Sequence, residues 1–532
     1  RFHLRRTSWG QEIAWTPTNA VARTATRAAS AGTMSRLCLE QQVIFVGPCE
    51  PDRLWHLVAP AAPTLDSTRA VDTMLHARDG RPIAPVSALA VADPPRLVLL
   101  VHAAAADEAA AAIVDLVAAQ EGVSVDVAGA ESIRLWGPRA LRALSGILHP
   151  PTAGDDRAAA AWSFYQESVH PLGSGASVPP GLAVPLWIDD PRLAWPPVWS
   201  DEPRLPDRAG VSLVPPVPVA QSPLWSALQR GEPLLLDAES TLCAARGPSP
   251  SAEAAATLTR PTIPVVLLAV GAGPSDLGRR EMHAGWTLLV PPGAHVAVWR
   301  ALQWSGSRAV GLAEQLMVAR EAGVPAFPYD YPDTQAGQAA LAYAAQEAAT
   351  TWARRPPSVR PAHTALGVRS PFLPDLVAAG ASTPLQVLRS PIDLLDLADG
   401  QYEGPRGALV RVSVALLTRG RAEPNAELLA PTADDQPTDC PDGVDVSAVP
   451  HQLVGYVAGG AVPTPIRSPG FSLVAARGAG SGWVTAGLVA DHVAAHPGTQ
   501  SMLLLLRCTA SPVARWARIQ WKNLFLSDIP SR

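Results

Sequence analysis

Apolar residues fall in short blocks along this chain, and their spacing changes from block to block. The stretch 43–46 reads as a strand and 96–102 as a buried strand. The alanine-rich run 103–119 contains neither glycine nor proline and predicts a helix. A strand at 132–136, closed by Gly137-Pro138, leads into a helix at about 139–148. Farther along, strands are predicted at 263–270 and 286–290, and helices at 309–322 and 338–352. Near the end, glycine-bounded apolar runs at 453–457, 471–475, 483–489 and 502–507 read as strands of a β-rich module. From about Asn19 the arginine-rich N-terminal stretch reads as helix, with Arg23 and Arg27 four apart on one face.

Between these blocks lie segments that resist regular structure. Residues 179–186 lead into Asp189-Asp190-Pro191-Arg192-Leu193, and a proline-rich stretch at 195–223 reads as an extended surface connection. The stretch 247–259 is polar, and 421–449 is rich in proline and aspartate, which predicts a loop or disordered insert. The fold class expected is mixed α/β (α+β) and multidomain. The division is an N-terminal α/β region at 1–150, a connecting region at 151–260, a domain at 261–375, and a β-rich domain at 376–532 with its loop insert at about 421–450. No internal repeat is found.

Composition changes the picture in three ways. First, 48% of residues are hydrophobic but only 17% are charged, against roughly 25% in an average soluble protein. Second, Lys522 is the only lysine, so the cations are guanidinium groups, which bind phosphate bidentately and stack on bases. Third, the net charge of −5 argues by itself against a nucleic-acid partner, while leaving room for local basic patches. Cys38, Cys49, Cys243, Cys440 and Cys508 are scattered and form no CxxC pair, so neither a zinc ribbon nor a disulfide framework is indicated, and a reducing compartment fits. No apolar run reaches the ~18 residues of a membrane helix, and no secretory signal is visible. The chain begins with Arg1 instead of methionine, so a fragment or processed form is expected.

Few motifs carry chemistry. Val270-Gly271-Ala272-Gly273 resembles the opening of a dinucleotide-binding turn, but the third glycine is misplaced and a second strand follows, so an ordinary glycine turn is favoured. His492 and His496 have the spacing of a two-histidine metal face without a third ligand, and a surface pair is the simpler reading. Asp189-Asp190 is either a metal-binding pair or a turn before proline. Trp195, Trp199 and Trp225 lie among prolines, where they either stack on unpaired bases or staple extended segments to a core. No GxSxG elbow and no phosphate loop is present.

The segment 285–372 is the most specific. It runs GWTLLVPPGAHVAVWRAL, then GSRAVGLAEQLMVAREAGVPAFPYDYPDT, then WARRPPSVRP and GVRSPF. This resembles the POPLD region of the large protein subunit of eukaryotic ribonuclease P and ribonuclease MRP. The matching positions include Gly285, Trp286, Pro291, Trp299, Gly311, Leu312, Glu314 and Glu321, then Phe327, Pro328, Asp330, Tyr331, Pro332, Asp333 and Thr334, and then Arg354, Arg355, Pro356, Pro357, Arg360 and Pro361. The start, with Arg1, Phe2, His3, Leu4, Trp9, Gly10, Pro17 and Thr18, is similar to the same family, as are the glycine-rich stretches at 455–457 and 478–482. The chain departs from the family in being slightly acidic and in having arginine where the family has lysine.

That resemblance implies a ribonucleoprotein complex that removes 5′ leaders from precursor tRNAs or cleaves precursor ribosomal RNA, with the chemistry done by magnesium ions on the RNA subunit. It implies no cofactor and no catalytic residue in this chain, no membrane, and a place in the nucleus and nucleolus. The partners implied are the ribonuclease P or MRP RNA, smaller protein subunits, and precursor tRNA or pre-rRNA as substrate of the complex. RNA contacts are expected from Arg1, His3, Arg5, Arg6, Arg23, Arg27, Arg354, Arg355 and Arg360, and a structural role from Trp286, Pro291, Trp299, Gly311, Glu314, Phe327, Pro328, Asp330, Tyr331 and Pro332. Trp299→Ala is expected to cost about 3–5 kcal/mol, as for a large aromatic cavity. The family is also distantly similar in fold to glycine-cleavage T-proteins, which leaves a folate-binding one-carbon enzyme as the alternative. Read from the residues alone, Arg354, Arg355 and Arg360 suit either RNA phosphates or the C-terminal end of a helix dipole.

Overall fold

The computed structural model describes residues 4–9, 11–16, 33–60, 62–152, 154–197, 212–246, 258–271, 283–321, 324–417, 423–435, 444–446, 451–459, 467–468, 471–472, 480–497, 499–511 and 513–521. The chain divides into two compact units, one of Arg1–Ala272 with Arg280–Gln315 and the other of Gly273–Arg279 with Leu316–Arg532. The boundary after Gln315 lies inside the segment 261–375.

In the first unit β1 (Leu4–Ser8) and β2 (Gln11–Thr16) form a hairpin. The main sheet takes β3 (Met34–Gly47), β4 (Val71–His76), β5 (Pro82–Ala92), β6 (Pro95–His102), β7 (Ser124–Trp136), β8 (Ala183–Ile188), β9 (Ile263–Val270), β10 (Gly285–Val290) and β11 (Arg308–Ala309). Its order is β4-β5-β6-β3-β7-β10-β9-β8, with β11 beside β3. Every pairing is antiparallel except β3 with β11. The strands are longer than the apolar runs suggest, because polar residues on one face continue the ladder past the buried stretch. Pro185 sits on β8, at the end of the sheet, where its missing N–H is tolerated.

Alternation along these strands gives the sheet two apolar faces. On one, Ile133, Leu135, Trp286, Leu288, Val265 and Leu267 pack with the helices Ala140–Ser145, Asp156–Phe164 and His295–Trp304. On the other, Val43, Phe45, Leu100, Ala130 and Leu268 pack with the helix Leu224–Arg230. The proline-rich stretch is therefore more than a connection: where described, it ends in a 3-10 turn (Val219–Gln221) that delivers this helix to the sheet. The alanine-rich run is the helix Ala106–Val117, as its composition predicts.

The second unit holds the helices Gln335–Arg354 and Pro391–Asp399, then β12 (Leu409–Leu416), β13 (Glu427–Leu429), β14 (Val444–Asp445), β15 (Leu453–Gly459), the small hairpin β16 (Arg467–Ser468) and β17 (Phe471–Ser472), β18 (Gly480–Thr485), β19 (Ser501–Arg507) and β20 (Val513–Gln520). Because β12 pairs with both β18 and β20, the order β12-β18-β15-β13-β19-β20 closes into a ring, and β14 adds to β20. Val410, Val412, Val414, Leu428, Val484, Leu504 and Ile519 form its apolar core with the helix Ala486–Ala495.

Two expectations change here. Residues 421–450 are not simply a loop insert: Glu427–Leu429 is a buried strand between β15 and β19. Its glutamate reads as a surface residue, yet it lies opposite Arg507 in register and pairs with that guanidinium. The run 483–489 is not one strand. Thr485 ends β18 and its hydroxyl accepts the Leu488 N–H, so the apolar residues after it start a helix.

Candidate nucleic-acid interface

The segment singled out by its motifs begins in the first unit. Gly285 opens β10 against β7, and a Cβ there would lie 2.0 Å from the Leu135 carbonyl oxygen, so only glycine permits this approach. Trp286 beside it is fully buried. Pro291 is buried as well, whereas Trp299 is half-buried at the margin of the core. Glu314, fully buried in the first turn of the helix Leu312–Glu321, accepts the Gly311 N–H at 2.9 Å. That is the reciprocal half of a capping box, with a carboxylate at the positive end of the helix.

In the second unit, Phe327-Pro328-Tyr329-Asp330-Tyr331-Pro332-Asp333-Thr334 forms a turn that starts the helix Gln335–Arg354. Asp330 accepts the Ala326 N–H at 2.9 Å and Arg411 Nη2 at 3.3 Å, with both charged side chains buried. Asp333 takes both terminal nitrogens of Arg389 at 2.5 Å each, and that guanidinium lies 4.9 Å from the Tyr331 ring centroid. Phe327 packs edge-on against Tyr331, Pro328 and Pro332 are buried, and burial pushes the Tyr331 phenol up to about 12. Thr334 accepts the Gly337 N–H at 3.0 Å and caps the helix. A Cβ on Gly337 would stand 1.8 Å from the Tyr331 carbonyl oxygen. The acids and aromatics of this motif thus face one another and two arginines from elsewhere in the unit.

The other end of the same helix is basic. Arg354 and Arg355 are exposed. Arg360 turns back instead: its Nε donates to the Arg355 carbonyl at 2.6 Å, its Nη2 donates to the Ala353 carbonyl, and its guanidinium lies 5.3 Å from the Trp352 ring. Trp352 also packs against His363 and Phe372. The three arginines therefore do not form one outward line. Two face solvent, and the third closes the helix end by satisfying its last carbonyls.

The remaining candidates scatter. Arg1, His3, Arg23 and Arg27 lie outside the described residues, as does the predicted N-terminal helix. Arg5 and Arg6 lie on β1, opposite Ala14 and Ile13. Trp225 is buried on its helix and donates Nε1–H to the Val219 carbonyl at 2.8 Å, so it is a staple and not a stacking surface. Trp195 is exposed and Trp199 lies outside the described residues. Asp190 pairs with Arg192 at 2.6 Å and accepts its N–H, while Asp189 accepts from Thr152, which makes this a salt-bridged turn. His492 and His496 lie with their rings tilted to each other, 4.9 Å between centroids. β9 and β10 are antiparallel, so a βαβ nucleotide turn does not connect them.

Several groups titrate abnormally inside the first unit. Burial holds His102 down to about 4, and its Nδ1 accepts the Ala104 N–H at 3.1 Å. Burial, with Arg134 nearby, holds His283 down to about 3, and burial raises the Cys38 thiol to about 11. Sequence reasoning missed Arg389, Arg411 and Trp304. For Arg411 a signal existed: a single arginine inside the alternating run Leu-Val-Arg-Val-Ser-Val marks a buried ion pair.

A known domain family matches the same segment. The POPLD (NUC188) domain model matches residues 285–376. The Homo sapiens "Ribonucleases P/MRP protein subunit POP1" is 31% identical over 110 residues, 21% of this chain and 11% of that protein. The Arabidopsis thaliana protein of the same name is 34% identical over 77 residues, 14% of this chain and 9% of that protein. The Schizosaccharomyces pombe subunit pop1 is 29% identical over 163 residues, 30% of this chain and 21% of that protein. The matched parts thus span about a tenth to a fifth of the length of these relatives. Among solved structures, the glycine cleavage system aminomethyltransferase T from Bartonella henselae superposes with a TM-score of 0.44 at 13% identity, covering 98% of this chain and 94% of that one. Residues 285–376 of the chain match the POPLD domain, and over part of its length the chain is similar to the POP1 subunits of ribonucleases P/MRP.

Proposed function

We propose that this chain is a non-catalytic, RNA-binding scaffold subunit of a ribonuclease P or ribonuclease MRP particle. In that role it supports 5′-leader removal from precursor tRNA, or pre-rRNA processing, by an RNA subunit that carries the magnesium ions. Smaller protein subunits are its other partners, and the nucleus and nucleolus its place.

The observation that carries the reading is the arrangement of the POPLD segment. Asp330 faces Arg411, Asp333 faces Arg389, and Glu314 faces a backbone N–H, so these carboxylates serve the fold. The segment then presents Arg354 and Arg355 to solvent at the end of a braced helix. A pair of exposed guanidinium groups on rigid backbone suits the phosphates of a folded RNA, read by shape instead of sequence.

The test has two arms. The purified chain should retain RNA, raising the 260 nm absorbance relative to 280 nm, and sequencing that RNA should return a ribonuclease P or MRP RNA. Incubated alone with precursor tRNA and magnesium, the chain should give no specific 5′ cleavage. Cleavage that disappeared on replacing one carboxylate would overturn the scaffold reading.

A further inference from the structure

One exposed aromatic pair in the first unit is unlike the rest. Trp304, the last residue of the helix His295–Trp304, is 66% exposed, and Trp195, 36% exposed, meets it edge-to-face with 5.1 Å between ring centroids. Most large aromatic side chains of this unit are inside: Trp55, Trp136, Trp225 and Trp286 are each 2% exposed or less. Leaving so much indole in water forfeits burial free energy, and an exposed apolar pair of this size marks a contact surface.

The surroundings say what kind. Val296, Arg300 and Trp304 recur every four residues, so they lie along one face of the helix, and all three are exposed. Arg308, four residues past Trp304 on β11, is exposed too. Neither Arg300 nor Arg308 pairs with a carboxylate among the described residues. The opposite face of the helix, with Ala297, Val298, Ala301 and Leu302, is buried in the core, and Gln303 donates to the Ser35 hydroxyl at 2.9 Å, so the platform stands on a fixed support. Flat aromatic faces bordered by unpaired cations are the combination that binds single-stranded nucleic acid: bases stack on the rings while guanidinium groups take the phosphates.

We infer that Trp195 and Trp304, with Arg300 and Arg308, form a stacking platform for unpaired bases of a single-stranded RNA segment, separate from the basic helix end at Arg354 and Arg355. The platform rests on the RNA-binding reading above and adds a site and a ligand class to it. A proline-rich or apolar protein segment would also cover tryptophan, but it would bring no counter-charge to two guanidinium groups that meet no carboxylate among the described residues.

The experiment measures the full chain by fluorescence anisotropy against two labelled probes, a 12-nucleotide oligouridylate and a blunt RNA duplex. Stacking is worth about 1–3 kcal/mol per base, so Trp195→Ala/Trp304→Ala should weaken the oligouridylate about tenfold or more and leave the duplex unchanged. Trp304→Phe, which keeps a ring, should restore most of the affinity. Arg300→Gln/Arg308→Gln should flatten the oligouridylate salt slope by about 1.4 units, two phosphate contacts' worth. If the tryptophan variant binds the oligouridylate as the parent does, while Arg354→Gln/Arg355→Gln weakens the duplex, the platform is wrong and the scaffold reading stands. If the parent binds neither probe, both fall. Loss of a co-purifying protein subunit with oligouridylate affinity intact would also overturn the proposal, assigning the pair to a protein contact. Because the side chains are exposed, an unchanged melting temperature is expected in every variant.

Discussion

The two ends of the helix Gln335–Arg354 use the same chemical parts to opposite effect. At the N-terminal end Arg389 stacks on Tyr331, and at the C-terminal end Arg360 stacks on Trp352. The difference lies in the acids. Two carboxylates, Asp330 and Asp333, meet two guanidinium groups at the first end, so charge is balanced where it is buried. At the second end Arg360 donates to backbone carbonyls, and neither it nor Arg354 or Arg355 meets a carboxylate among the described residues. Positive charge therefore remains there, where the helix dipole also favours it. A motif recognisable by its aspartates and tyrosine is thus a fastening, and the plainer arginines beyond it are the ones left exposed to solvent.

The sharpest way to break this contrast is at Asp330. Removing one member of a buried ion pair leaves the other charge uncompensated, so Asp330→Ala should destabilise the second unit by about 3–5 kcal/mol in a urea titration. Asp330→Leu combined with Arg411→Met should recover much of that loss. If Asp330→Ala cost under about 1 kcal/mol, water would have to reach Arg411 and the two ends would differ less than their burial says. In the other unit, Trp286→Ala should cost about 3–5 kcal/mol, because its ring is fully enclosed. The same figure expected from sequence for Trp299 is too high for a half-buried ring, and Trp299→Ala should lose clearly less than Trp286→Ala in the same assay.

Acid provides a third probe. His102 and His283 are held neutral below their ordinary values, so the unfolded chain takes up protons that the folded one does not. Their contribution is fully present above about pH 6.5 and is lost as pH falls toward 4, by up to about 1.4 kcal/mol per pH unit for each histidine. Protonating His102 also removes the acceptor of the Ala104 N–H. Thermal melts between pH 7 and 5 should show the first unit weakening, and His102→Asn should flatten that dependence; an unchanged slope would mean His102 is reached by water. The smallest stability effect is expected where the binding effect should be largest. Arg354→Gln/Arg355→Gln should alter stability by no more than about 0.5 kcal/mol, yet flatten the salt dependence of RNA binding by about 1.4–1.8 units. A loss of several kcal/mol instead would make these arginines another fastening.

Much of this was legible in the chain. The helix Gln335–Arg354 is announced by Thr334 before it and Pro356-Pro357 after it, and β9 and β10 by their mostly apolar runs. What escaped did so for physical reasons. Ala486–Ala495 has too few polar positions to show a period, so its first turn reads as strand. Glu427 looks like a loop residue until Arg507 is placed opposite it across a ladder. β12 was hidden by the arginine in its middle. Trp304 reads as core in any sequence pattern, because only the packing of the helix decides which side meets water. Arg354 and Arg355 stand at the end of a helix that their following prolines announce, but nothing in their spacing tells that Arg360 folds back.

The ring of β12, β18, β15, β13, β19 and β20 has a consequence for motion. In an open sheet an edge strand can fray while the rest stays paired, so its amides exchange with solvent first. Here each strand of the ring is hydrogen-bonded on both sides, and none can leave without parting two ladders at once. Amide protons of β12 and β20, far apart in the chain, should therefore exchange together through one opening event. The three residues of β13, though too short to persist as a strand by themselves, should be as slow to exchange as their longer neighbours.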